Sequence, residues 1–293
     1  MLMLIYKNAF VIICIYTVYL HIIYIRVLPL NKTFWGVVLL TNKKSYFITI
    51  FFITLSACFI YMMNCGIRNN FGIMLSAITE SSGISFVTVS FVLAVGQMSF
   101  GITQPIFGIV ADKKGNRFSL LTGIMCTFLG IVLTPFCKSF LSLLLILGIL
   151  IPGGIGAISY GVIMGTINPR LPEKSKAVVS GIVNAASGIG NSILTPIISS
   201  SISKGGLSLG MFTIAVPTLL MVPATLFICG LKNTEKNTSV KPKMENAGIS
   251  DLFKRAFKNR SYIFIVLVFF TCGFHMALIT NHLPTQITSY GMS

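Results

Sequence analysis

The stretch GIVADKKGNR, residues 108–117, separates two long apolar runs and carries all its charge at Asp112, Lys113, Lys114 and Arg117. Gly108 permits another helix to come close at the end of the preceding run. Asp112 falls where apolar sequence stops, a position at which a lone carboxylate is costly unless a cation or a helix N-terminus neutralises it. Gly115 allows a tight turn, and Arg117 opens the next apolar run. Read by itself this is a basic turn between two membrane crossings.

The rest of the chain agrees. Of 293 residues, 54% are hydrophobic and only 10% are charged, with a mean hydropathy of +0.88. A soluble domain carries about a quarter of its residues charged, so an all-α multispanning membrane protein is the expectation. The net charge of +16 does not indicate nucleic acid as a partner, because the basic residues form no patch interleaved with aromatics. They stand in short groups between apolar runs of about 20 residues. The seven cysteines show no CxxC pair and lie almost entirely in apolar runs, which points to small packing residues rather than to a metal site or disulfides. Neither a phosphate-binding loop nor a nucleophile–base pair at usable spacing occurs, so hydrolase and kinase chemistry is not expected, nor is any cofactor.

Apolar runs predict spans near 46–78, 84–111, 118–137, 140–168, 177–202, 208–231 and 261–284, with a basic linker over 232–260. Lys43 and Lys44, then Lys113, Lys114 and Arg117, then Arg170, Lys174 and Lys176, and then the linker, alternate with loops holding only Lys138, Lys204 and Glu80. The basic loops are therefore expected on the cytoplasmic side, with the lipid bilayer as the surrounding medium. Residues 1–45 read as an extension: an extra span, an interfacial helix or an upstream addition, with a membrane-associated helix favoured by the apolar length of 9–30. His21, Arg26 and the lack of a small-residue cleavage site disfavour a signal peptide.

The spacing G-x-x-x-D-x-x-G-x-R resembles the loop signature of the major facilitator superfamily, transporters built of two six-helix bundles joined by a cytoplasmic linker. That resemblance implies that Gly108, Asp112, Lys113, Gly115 and Arg117 form a conformational loop bracing the cytoplasmic ends of the bundles. It also implies a fold of one complete six-helix bundle over 46–231 and the first helix of an incomplete second bundle over 261–293, so that the chain looks truncated after its seventh family helix. The fourth run lacks a basic residue before Arg170 and the fifth has SGIGNSILTP (187–196), departures from the drug–proton antiporters. The stretches GIRNNFG (66–72), QPIFG (104–108), CGFH (272–275) and HLP (282–284) look like the monocarboxylate and oxalate–formate antiporter branch instead. The branch implies a small organic anion as substrate, proton or counter-anion coupling, and a bacterial inner membrane as the location.

Polar residues inside the runs supply an independent line. Gln97 and Gln104, Asn184 and Asn191, and His275 and His282 are each seven apart, and Asn64 and Arg68 are four apart, so each pair shares a helix face. Four such faces point to a shared polar cavity, in which Arg68 would hold a carboxylate bidentately and the histidines would supply hydrogen bonds or a proton. No acidic residue lies deep in any run, so a relay through buried carboxylates is not expected. Small residues at Gly153, Ala157, Gly161 and Gly165, and at Gly181 and Ala185, are expected to be packing surfaces. Two positions for Arg68 stay open. A span beginning at Tyr46 puts it near the outer interface; one tilted, or broken at Gly66, puts it deep and facing the cavity. Two other functional readings also stay open: a non-transporting membrane fragment of such a carrier, and a multispanning scaffold without substrate.

Overall fold

The computed structural model describes residues 43–231, 257–268, 270–271 and 273–274. Among them there is no strand. The extension 1–42, nearly all of the linker, and both His275 and His282 lie outside the described residues.

The first span is made of α1 (Lys43–Asn69) and α2 (Phe71–Ser82), joined through Asn70 at φ −93° and ψ 0°. The second is α3 (Phe86–Lys114), opened by Ser85, whose hydroxyl accepts from the Thr88 N–H and so satisfies one of the orphan donors of a helix start. The third is α4 (Asn116–Leu133), extended by a 3-10 turn over Thr134–Phe136. Gly115 joins α3 to α4 at φ +93°, a conformation that a side chain would strain. The tight turn read from GIVADKKGNR is therefore present at the glycine expected to make it.

The fourth span is not the continuous helix its apolar run suggests. A capping box at Ser139 and Ser142 starts α5 (Phe140–Leu143), a π-helical segment follows over Leu144–Leu150, and α6 occupies Ile151–Ala157. The chain then leaves helical geometry at Ile158–Ser159 and resumes as α7 (Tyr160–Ile167). Pro152 accounts for the first irregularity, since it lacks the N–H that would bond one turn back and its ring crowds that carbonyl. The second is held by neighbours. Asn64 Nδ2 donates to the Ile158 carbonyl at 2.8 Å, and Ser119 Oγ donates to Ala157 O at 3.5 Å.

The fifth and sixth spans form one unit, α8 (Glu173–Gly230), whose path breaks at Gly205 and Gly206, the latter at φ +66° and ψ −165°. Among the described residues five helical stretches are long and apolar enough to cross a membrane, and the 58-residue α8, broken at its glycine pair, is long enough for two crossings. Large apolar side chains remain exposed around the bundle, Val87 at 76% and Met98 at 70% among them, the surface expected of helices solvated by lipid rather than water. The protein is thus an integral, multi-pass membrane protein.

Close packing is concentrated at small residues, and the small-residue stripe shares in it at Ala157, which is fully buried and whose Cβ a methyl at Gly123 would meet at 2.7 Å. A methyl added at Gly154 would sit 2.7 Å from the Gly123 carbonyl oxygen, and one at Gly190 would meet the Met62 backbone. Gly161, Gly165 and Gly181 have nothing within 4 Å. Beyond Ala157 the stripe meets open space, because the break at Ile158–Ser159 shifts the register that simple four-residue spacing assumes.

Arg170 fastens the far end of this span. It follows α7 in a 3-10 turn over Asn168–Arg170. Its Nε donates to Leu231 O at 3.1 Å, its Nη2 to Cys229 O at 3.5 Å and its Nη1 to Thr166 O. One guanidinium thereby serves carbonyls at two helix C-termini, where unpaired acceptors and the negative end of the macrodipole gather. Replacing it with alanine is expected to cost about 2 kcal/mol, read as a lower thermal unfolding midpoint of the detergent-purified protein. An unchanged midpoint would show that the clasp contributes nothing.

Candidate functional site

Arg68 is the second-last residue of α1, half-buried, and its guanidinium carbon lies 4.5 Å from the centroid of the Phe100 ring. Phe100 is the central residue of α3, and Ile155, across the same cleft, is central to the fourth span. The guanidinium therefore sits at mid-depth of the bundle. The break in the first span lies at Asn70, and Gly66 stays helical.

The cleft is lined by Arg68 and Phe71 of the first span, by Leu93, Gly96, Gln97 and Phe100 of α3, and by Leu147, Pro152 and Ile155 of the fourth. It is an apolar enclosure holding one cation and one carboxamide. The Phe100 ring presents its electron-rich face to the cation, which offsets part of the cost of a charge away from water. Arg68 Nε donates to Asn69 Oδ1 at 3.2 Å. No acidic partner is paired with Arg68: among the described residues the ion pair found is Lys176–Glu173, in the fourth-to-fifth connection. The two terminal nitrogens of Arg68 form a fork of the kind that binds a carboxylate, set among apolar walls. Among the described residues there is no cluster of metal-ligating side chains.

The expected site residues separate into three groups. Arg68 and Gln97 meet in the cleft. Asn191 does not line it but accepts from Asn69 Nδ2 at 3.3 Å, and so touches Arg68 through one intermediary. Asn64, Gln104 and Asn184 are not among its lining residues. Asn64 is 4% exposed and pins the break in the fourth span, with its Oδ1 unpaired. Gln104 is half-buried on α3 beyond the cleft, and Asn184 is exposed on α8. His275 and His282 lie outside the described residues. In the loop, Asp112, Lys113 and Arg117 are exposed, Gly108 is half-buried with open space beside it, and Lys114 stands 5.2 Å from the Phe118 ring centroid.

Sequence reasoning missed Phe100, Asn69, Asn70 and Thr195. Thr195 Oγ donates to Asn70 Oδ1 at 2.7 Å, and Asn70 Nδ2 donates to Gly66 O at 2.6 Å, beside the joint of the first span. Phe100 could have been found, since it stands three residues after Gln97 and shares its helix face. The asparagines immediately follow Arg68, but adjacency on a helix gave no reason to join them to it.

If Asn64 fixes the fourth span rather than ligand, Asn64→Ala should cost about 1–3 kcal/mol. This would be seen as a lower unfolding midpoint, with the KM for any transported anion unchanged. A raised KM at unchanged stability would return Asn64 to the cavity.

Residues 57–293 match the family model described as Major Facilitator Superfamily. No curated protein matches the chain.

Proposed function

The chain belongs to the major facilitator superfamily, and from that premise we propose that this membrane transporter carries a small organic anion of the monocarboxylate type by alternating access. The observation that supports this most is Arg68, a guanidinium at mid-depth without an acidic partner among the described residues, over Phe100 and beside Gln97. Charges inside a membrane bundle mark substrate or ion pathways by default. A carboxylate entering the cleft receives two parallel hydrogen bonds from Arg68, and Gln97 donates to the same end of the ligand. Phe71, Leu93 and Ile155 cover its apolar part.

Coupling follows from what the spans lack. No Asp or Glu lies deep in a described span, so a driving proton travels on the substrate's own carboxylate or on His275 or His282, or else a counter-anion returns through the same site. The spread of basic residues supports a cytoplasmic side for these loops, and on this reading GIVADKKGNR and Arg170 belong at the inner face of a bacterial plasma membrane. The branch resemblance of GIRNNFG supports the anion class.

Uptake of labelled pyruvate, lactate, formate and oxalate into proteoliposomes tests the reading, with wild type beside Arg68→Gln. Saturable uptake of at least one monocarboxylate by wild type, lowered at least about a hundredfold in Arg68→Gln, is the expected outcome, since a lost charged hydrogen-bonded pair at about 3 kcal/mol corresponds to that factor. Equal uptake by the two proteins would remove Arg68 from the site.

A further inference from the structure

The carboxamide of Asn69 lies between two groups with opposite demands. Arginine only donates, so the oxygen of Asn69 must face Arg68. Its amine end then needs an acceptor, and Asn191 Oδ1 supplies one from the fifth span. Without Asn191 the amide is free to turn its amine towards the guanidinium, donor against donor. Phe100 holds the guanidinium against one ring face, and Asn69 fixes its rotation in that plane through Nε. Together they engage the ring face and Nε and leave the two terminal nitrogens to serve a ligand.

We propose that Asn191 is a positioning residue for anion binding, acting through Asn69 to hold the fork of Arg68 in the orientation a carboxylate needs. The assignment rests on Arg68 being the anion site. It departs from the expectation that Asn191 lines the cavity, because Asn191 reaches the ligand only through two other side chains.

The fifth span carries its own control. Thr195, one helical turn beyond Asn191, shares its hydroxyl between the Asn191 carbonyl at 2.6 Å and Asn70 Oδ1 at 2.7 Å, and so fastens the same pair of spans without reaching Asn69 or Arg68. A purely structural role for the seam would make the two positions behave alike. A positioning role separates them.

The test is saturable uptake of labelled pyruvate by the full chain in proteoliposomes, resolved into KM and maximal rate and normalised to reconstituted protein. Asn191→Leu removes the acceptor at similar volume and should raise KM about tenfold, the loss of one half-buried hydrogen bond, with maximal rate within about twofold. Asn191→Gln keeps the carboxamide oxygen and should restore KM. Asn69→Ala removes the intermediary, which makes it the second variant should Asn191→Leu fail to fold, and it should raise KM likewise. Thr195→Val should lower the unfolding midpoint and leave KM unchanged. An unaltered KM in Asn191→Leu and Asn69→Ala, with Arg68→Gln inactive, overturns the positioning role alone. So does an equal rise of KM in Asn191→Leu and Thr195→Val. Unaltered uptake in Arg68→Gln, or no pyruvate uptake by wild type, overturns both this role and the anion site beneath it.

Discussion

A guanidinium held at the middle of a membrane bundle must be solvated by the protein, because lipid offers it nothing. Here the solvation is partial by construction. The ring of Phe100 takes one face of Arg68 and the oxygen of Asn69 takes Nε. No carboxylate neutralises the charge among the described residues. The remaining demand for hydrogen-bond acceptors is the physical basis for an anion site, and an internal salt bridge would have removed it. The positions of α3, the fourth span and the fifth span around Arg68 all bear on how completely that demand is left open.

The architecture near Arg68 shows how three spans are brought to one point. Gly190 lets the fifth span approach the first at Met62, directly below the seam formed by Asn69, Asn70, Asn191 and Thr195. Gly96 on α3 performs the same service towards Leu147 and Pro152. Small residues permit contact where apolar attraction between helices is weak in lipid, and side-chain hydrogen bonds then choose the register. Asn64 completes the arrangement from the opposite side of α1 by holding the broken fourth span through Ile158. Two asparagines five residues apart on the first span thus serve different neighbours, one for stability and one for the charge.

Much of the fold was legible from apolar run length and the distribution of basic residues. Gly115 stood where a turn was required, and the gap between the runs ending at 202 and starting at 208 contains Gly205 and Gly206, where α8 breaks. The irregular fourth span was not legible, since a run of apolar residues looks the same whether its hydrogen bonds close four or five residues apart. The same limit carried the packing stripe past Ala157 to Gly161 and Gly165 and passed over Gly154 and Gly156. Of the residues that periodicity gathered, Arg68 and Gln97 meet in the cleft, whereas Asn64, Gln104 and Asn184 are not among its lining. Helical spacing states which residues share a face; it does not state whether that face meets ligand, another helix or lipid.

The central claim is that an anion binds at Arg68 within the cleft shared with Gln97. The most direct measurement is the alkylation rate of a cysteine at that neighbouring position, Gln97→Cys, read above the wild-type background in reconstituted protein, with and without pyruvate. The account predicts that pyruvate slows alkylation when Arg68 is present and has no effect once Arg68→Gln is added. Equal protection in the two backgrounds, or none in either, would contradict it.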